Sequence, residues 1–90
     1  MLFVALMNVI GSTEMERAVR RSEWDVPPTI EIIGEYWLHT PYPEVIVIFE
    51  SDCFEDILPF TAAWNDVYDI SIYPAATASD GMEALQQMLT

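Results

Sequence analysis

Five consecutive apolar residues, Val45, Ile46, Val47, Ile48 and Phe49, leave no polar face on whatever element they form. A run this short and this rich in β-branched residues reads as a strand, and a strand apolar on both faces has to be covered on both. It therefore belongs at the centre of a sheet. Upstream, residues 29–39 mix their polarity: Ile30, Ile32, Tyr36 and Leu38 share one parity with Gly34, and Glu31, Ile33, Glu35, Trp37 and His39 take the other. Such a mixture suits an edge strand. Thr40, Pro41, Tyr42 and Pro43 separate the two runs. Prolines, with a fixed φ and no N–H to donate, make that link a stiff turn, so the runs pair as a hairpin.

The rest of the chain supplies cover. Residues 2–8 form a second unbroken apolar run and read as another central strand. Thr13 and Glu16 are spaced for a capping box that opens a helix. Apolar spacing gives this helix an inward stripe of Met15, Ala18, Val19 and Ser22, with Glu14, Glu16, Arg17, Arg20, Arg21 and Glu23 facing out. Trp24 adds the contact area that so thin a stripe lacks, and residues 25–28 lead into the hairpin.

Beyond the hairpin, Ser51 or Asp52 caps a second helix with Phe54, Ile57, Leu58 and Thr61 at i, i+3, i+4 and i+7. Pro59 predicts a kink or short break within it, and the helix ends near Trp64. Residues 67–73 alternate as an edge strand stopped by Pro74. Ser79 or Asp80 then caps a last helix, over residues 78–89, with Met82, Leu85 and Leu89 along one side. A helix this short is marginal alone and has to dock, on its own subunit or a neighbour.

The order strand, helix, strand, strand, helix, strand predicts an α+β fold: a ferredoxin-like βαββαβ domain over residues 1–90, with an antiparallel four-stranded sheet and a short C-terminal helix. That topology centres the first and third strands and puts the second and fourth at the edges, which matches where the unbroken and the mixed runs fall. Helices cover one face of such a sheet. The central strands are apolar on both, so the other face calls for a second sheet, as in a homodimer of dimeric α/β-barrel type.

With 90 residues, 52% of them hydrophobic, the chain holds more apolar material than a small monomer easily hides. Fifteen acidic residues against three arginines and no lysine give a net charge of -12, which repels phosphate backbones and anionic lipid. Nucleic acid and membrane insertion are excluded as expectations, and the acidity also fits a salt-rich cytoplasm. No apolar run approaches the roughly 20 residues that span a bilayer. One cysteine, Cys53, cannot close an internal disulfide, and a cytoplasmic location is expected.

From Gly34 onward the chain resembles the domain of unknown function 3303 family. The residues that carry the likeness are Gly34, Glu35, Tyr36 and Trp37, then Glu50, Ser51 and Asp52, and above all Trp64, Asn65, Asp66, Val67, Tyr68 and Asp69 with Ile72 and Pro74. The resemblance implies a ferredoxin-like protomer of the dimeric α/β-barrel superfamily whose sheet packs on its twin. It implies no activity. The TPYP turn and the short first helix depart from the family's usual pattern.

Candidate chemistry is sparse. His39 shares a strand parity with Glu35 and Trp37 and is the one histidine, a proton shuttle or single ligand at most. A metal site ordinarily gathers several ligands, so no metal and no cofactor is called for. Cys53 opens the second helix, where the helix dipole favours a thiolate and Asp52, Glu55 and Asp56 oppose it, so it reads as inert. Pairs such as Glu31 with Glu35 and Asp66 with Asp69 read as surface charge, and Glu16 with Arg20 as a helix ion pair. Met7, Tyr36, Trp37, His39, Trp64, Tyr68 and Tyr73 are the candidate ligand or interface residues, as an apolar layer between two sheets. The sequence thus predicts a non-enzymatic homodimeric binding or regulatory module that recognises a partner protein or small apolar ligand through its sheet face and C-terminal helix. The alternative is a small cofactor-free monooxygenase- or isomerase-like enzyme using His39 and a carboxylate, Glu35 foremost, as acid and base.

Overall fold

Alternation along the first strand, β1 (Leu2–Val9), sends Phe3, Ala5 and Met7 to one face and Leu2, Val4 and Leu6 to the other. The chain, a computed structural model that describes residues 1–89, continues through α1 (Glu14–Glu23), β2 (Ile30–Trp37), β3 (Val45–Ser51), a single 3-10 turn (Phe54–Ile57), α2 (Leu58–Trp64), β4 (Tyr68–Ala75) and α3 (Ala78–Leu89). The strands form one antiparallel sheet in the order β2-β3-β1-β4. This is the ferredoxin-like βαββαβ arrangement with an added C-terminal helix. The two unbroken apolar runs, β1 and β3, occupy its centre.

Phe3, Ala5, Met7, Val47 and Phe49 on the covered face meet Ile57, Phe60 and Trp64 from the helical side to form the core. Phe49 stacks on Phe3 at 5.6 Å and lies 5.5 Å from Phe60. Trp24, the C-cap of α1, closes this layer edge-on against Phe60 and Trp64, which is the contact area the sequence assigned to it.

Four local readings change between α1 and α2. The inward face of α1 is not the apolar stripe: Met15 is 72% and Val19 47% exposed, while Arg17 is 7% exposed. The helix turns Arg17 inward, because its guanidinium finds the Glu44 carboxylate under the helix. In β2 a register irregularity between Ile32 and Gly34 flips the alternation, so Glu35 and Trp37 share the covered face with Ile30 and Ile32, and Tyr36 faces away. Ser51 ends β3 instead of capping a helix, its hydroxyl donating to the Thr29 and Cys53 carbonyls. The break expected at Pro59 is present as the junction between the 3-10 turn and α2, with the proline in the first turn of α2, where no N–H is missed. That junction resets the helical phase, so Ile57, Phe60 and Trp64 point inward while Phe54 and Leu58 stay exposed.

At the C-terminal end, β4 runs through Pro74, opposite Phe3, as an edge strand permits. Thr77, not Ser79 or Asp80, opens α3, its hydroxyl accepting from the Asp80 N–H at 3.1 Å. No residue of α3 is buried. Among the described residues no helix is long and apolar enough to cross a membrane.

Candidate functional site

The helices stand off the sheet around a cleft of about 100 Å³, and its walls are built from both layers. From α1 come Glu14, Arg17 and Arg21, from its C-cap Trp24, and from α2 Phe60 and Trp64. The sheet contributes Met7, Ile32, Trp37, Val45, Val47 and Tyr68. All three tryptophans of the chain therefore line one space.

Two charge pairs sit in these walls. Glu44 immediately precedes β3, and its N–H donates to the Met7 carbonyl at 2.9 Å, which holds the residue against β1. Its carboxylate accepts from Arg17 Nε at 2.9 Å and Nη2 at 2.8 Å, a bidentate fork, and from the Tyr68 hydroxyl at 2.6 Å. Arg17 also donates to the Gly11 and Ser12 carbonyls, so this guanidinium is fully engaged at 7% side-chain exposure. On the β2 side Glu35 accepts from Arg21 at 2.8 Å and 3.0 Å and from the Trp37 indole N–H at 2.8 Å. Arg20, at the rim, forks onto Asp66.

These partners govern ionisation. The Arg17 hydrogen bonds hold the Glu44 carboxyl below its ordinary value against the opposing effect of burial, and Arg21 does the same for Glu35. Burial, then the bond to Glu44, pushes the Tyr68 phenol up. Each guanidinium in turn lies over a ring: Arg17 over Tyr68, Arg20 over Trp64 and Arg21 over Trp24, at 5.9, 5.5 and 5.4 Å from the centroids. Among the described residues no buried side-chain nitrogen or oxygen lacks a partner.

The residues singled out in the sequence divide between two places. Met7, Trp37, Trp64, Tyr68 and Glu35 meet in the cleft. Tyr36 and Tyr73 lie on the opposite, helix-free face, at 56% and 55% exposure, so the set does not form a single layer between two sheets. His39 is exposed beyond the end of β2 and does not line the cleft. Cys53 is exposed, and Asp56 pushes its thiol up, so negative charge and not burial keeps it protonated. Glu35 and Asp66 are arginine-paired groups, and Arg20 takes Asp66, not Glu16, as its hydrogen-bonded partner. The sequence shows Arg17, Arg20 and Arg21 gathered on one helix, as an internally paired set or a face for an anion or acidic partner, but it places them facing out and does not mark Glu44 as a partner.

Among the described residues no cluster of three or more histidine, cysteine, aspartate or glutamate side chains is placed to hold a metal ion. A family model described as Domain of unknown function (DUF3303) matches residues 1–89. No curated protein and no solved structure matches the chain.

Proposed function

Since the chain belongs to the DUF3303 family, whose description carries no activity, we propose from its geometry that it is a homodimeric, non-enzymatic binding module holding a small neutral apolar ligand between its helices and its sheet. The observation that carries this reading is the cleft, where three tryptophans meet and both arginines are paired with carboxylates, leaving Glu14 at the start of α1 as the one lining charge outside those pairs. Arg17 with Glu44, and Arg21 with Glu35, cancel. An incoming anion would meet no free cation and a chain of net charge -12. An incoming cation would find the Trp24, Trp64 and Tyr68 faces occupied by the protein's own guanidinium groups.

Size narrows the class further. A dry cavity of about 150 Å³ suffices for benzene, so a cleft of about 100 Å³ takes no more than one small flat group, with any remainder at the mouth beside Trp37. Acid–base catalysis is the weaker reading. Glu35 is held ionised by Arg21 and Trp37, which makes it a poor proton acceptor, and His39 lies outside the cleft. The dimer rests on the helix-free face of the sheet, where Leu2, Val4, Leu6, Ile46 and Ile48 are partly exposed and Tyr36 and Tyr73 are exposed. A cytoplasmic location accords with the exposed free thiol.

A matched trio of probes, benzyl alcohol, benzoate and benzylammonium, tests the cleft, read by NMR of the three indole N–H resonances. Benzyl alcohol is expected to shift them saturably, and Trp37→Phe to weaken that binding several-fold. Equal or stronger shifts with either charged probe, or no movement with any of the three at millimolar concentration, would overturn the reading.

A further inference from the structure

We infer that α3 is an arm that leaves its own protomer and is buried, together with the helix-free sheet face, against a second copy of the chain. This rests on the homodimer proposed above and adds the element that completes it.

Met82, Leu85, Met88 and Leu89 fall on one stripe of α3 and are 56, 53, 80 and 86% exposed, whereas Ser79, Asp80, Glu83 and Gln86 occupy the rest of the surface. An isolated 12-residue helix is marginal in water, so an uncovered stripe of this kind contributes stability only where something receives it.

The radius of gyration is 15.0 Å, against about 12 Å for a compact domain of this length. The long axis measures 52 Å. An eight-residue strand accounts for about 26 Å of that, and a helix of twelve residues for about 18 Å more. The excess is thus what a helix continuing past the end of β4 produces. With no residue of its own buried, α3 leaves the open face of the sheet uncovered.

Four strands spaced about 4.8 Å apart and some 20 to 26 Å long present roughly 400 to 500 Å² of flat face, short of the roughly 800 Å² per partner of a standard interface. The α3 stripe, about 18 by 10 Å, adds a further ~180 Å², and surface relief brings the sum near that size. The face itself is continuous: Tyr36, Ile46 and Leu6 lie in one register row, and Ile48, Val4 and Tyr73 in the next. A second copy offers the same face and the same arm, so one two-fold operation covers both at once.

Sedimentation velocity on the full-length chain over a dilution series, beside the double variant Leu85→Gln/Leu89→Gln, tests the arm. The wild type is expected to be a dimer and the variant's dissociation constant to rise at least tenfold, while the uncharged exchange Gln86→Ala on the polar side of α3 leaves it unchanged. Near-UV circular dichroism of the Trp24 and Trp64 cluster reports whether the variant protomer is folded. If it is not, Met88→Ser, at the 80% exposed position, takes its place. A variant that dimerises as tightly as the wild type overturns the arm alone. A wild type that stays monomeric throughout overturns the arm and the homodimer together, and neither result touches the cleft.

Discussion

Glu44 ties three elements together through one carboxylate: Arg17 of α1 and Tyr68 of β4 both donate to it at the head of β3. Replacing it by glutamine leaves the Arg17 guanidinium, 7% exposed, without a counter-charge, and breaking a buried pair from one side costs about 3 to 5 kcal/mol. Urea unfolding at pH 7 is expected to show a loss toward the lower end of that range for Glu44→Gln, since Arg17 keeps its two backbone carbonyl acceptors. The same residue sets the acid limb. Because Glu44 and Glu35 are held below the ordinary carboxylate value of 4.5, the stability they contribute is present above that pH and is lost as pH falls through their lowered native values. The wild-type urea midpoint is therefore expected to fall below about pH 4.5, and that of Glu44→Gln to fall less steeply over the same interval. A variant that keeps the full wild-type acid slope would remove Glu44 from this role.

At the scale of the element, α1 is held at its start by a complete capping box. The Glu16 N–H donates to the Thr13 hydroxyl and the Thr13 N–H to the Glu16 carboxylate, both at 3.2 Å. Thr13→Ala is expected to cost about 1 kcal/mol in urea unfolding, and to speed hydrogen exchange in the first turn of α1 before that of β1 or β3. This box was legible because it depends on four consecutive residues. The face of α1 was not: Arg17 goes inward because of Glu44, 27 positions away in sequence, and no local periodicity carries that information. The same distinction explains β2. Glu35 and Trp37 were grouped correctly with each other, but the irregularity at Ile32/Gly34 that brings them to the covered face was marked only by Gly34, an isolated glycine in a strand pattern. Tyr36 lies so close over Gly34 that an added Cβ would come within 3.1 Å of its ring, which is the close approach that glycine permits. The stripe assumed across residues 54–61 failed for a phase reason, since Pro59 begins a new helix and periodicity does not carry across the junction. Central and edge strands were legible throughout, because unbroken and alternating polarity are properties of the run itself.

At the scale of the whole molecule, apolar surface and net charge act in opposite directions on association. Each copy carries a charge of -12, so bringing two copies together raises electrostatic energy at long range, while the partly exposed sheet face and the α3 stripe favour contact at short range. The three arginines do not offset this between copies, because each is already paired within its own protomer. Salt separates the two contributions. The screening length falls from about 20 Å at 20 mM to about 4 Å at 0.5 M, which removes the repulsion between copies and leaves hydrophobic burial slightly strengthened. The dimer is therefore expected to tighten as sodium chloride rises from 20 mM to 0.5 M, by at least several-fold in sedimentation equilibrium. An interface held by ion pairs between copies would loosen over the same range, and that opposite sign would show that the apolar face and arm are not what joins them. In the same experiment Ile48→Thr, at the centre of the open face, is expected to weaken the dimer at every salt concentration while leaving the salt-induced tightening in place, since it removes apolar contact and no charge.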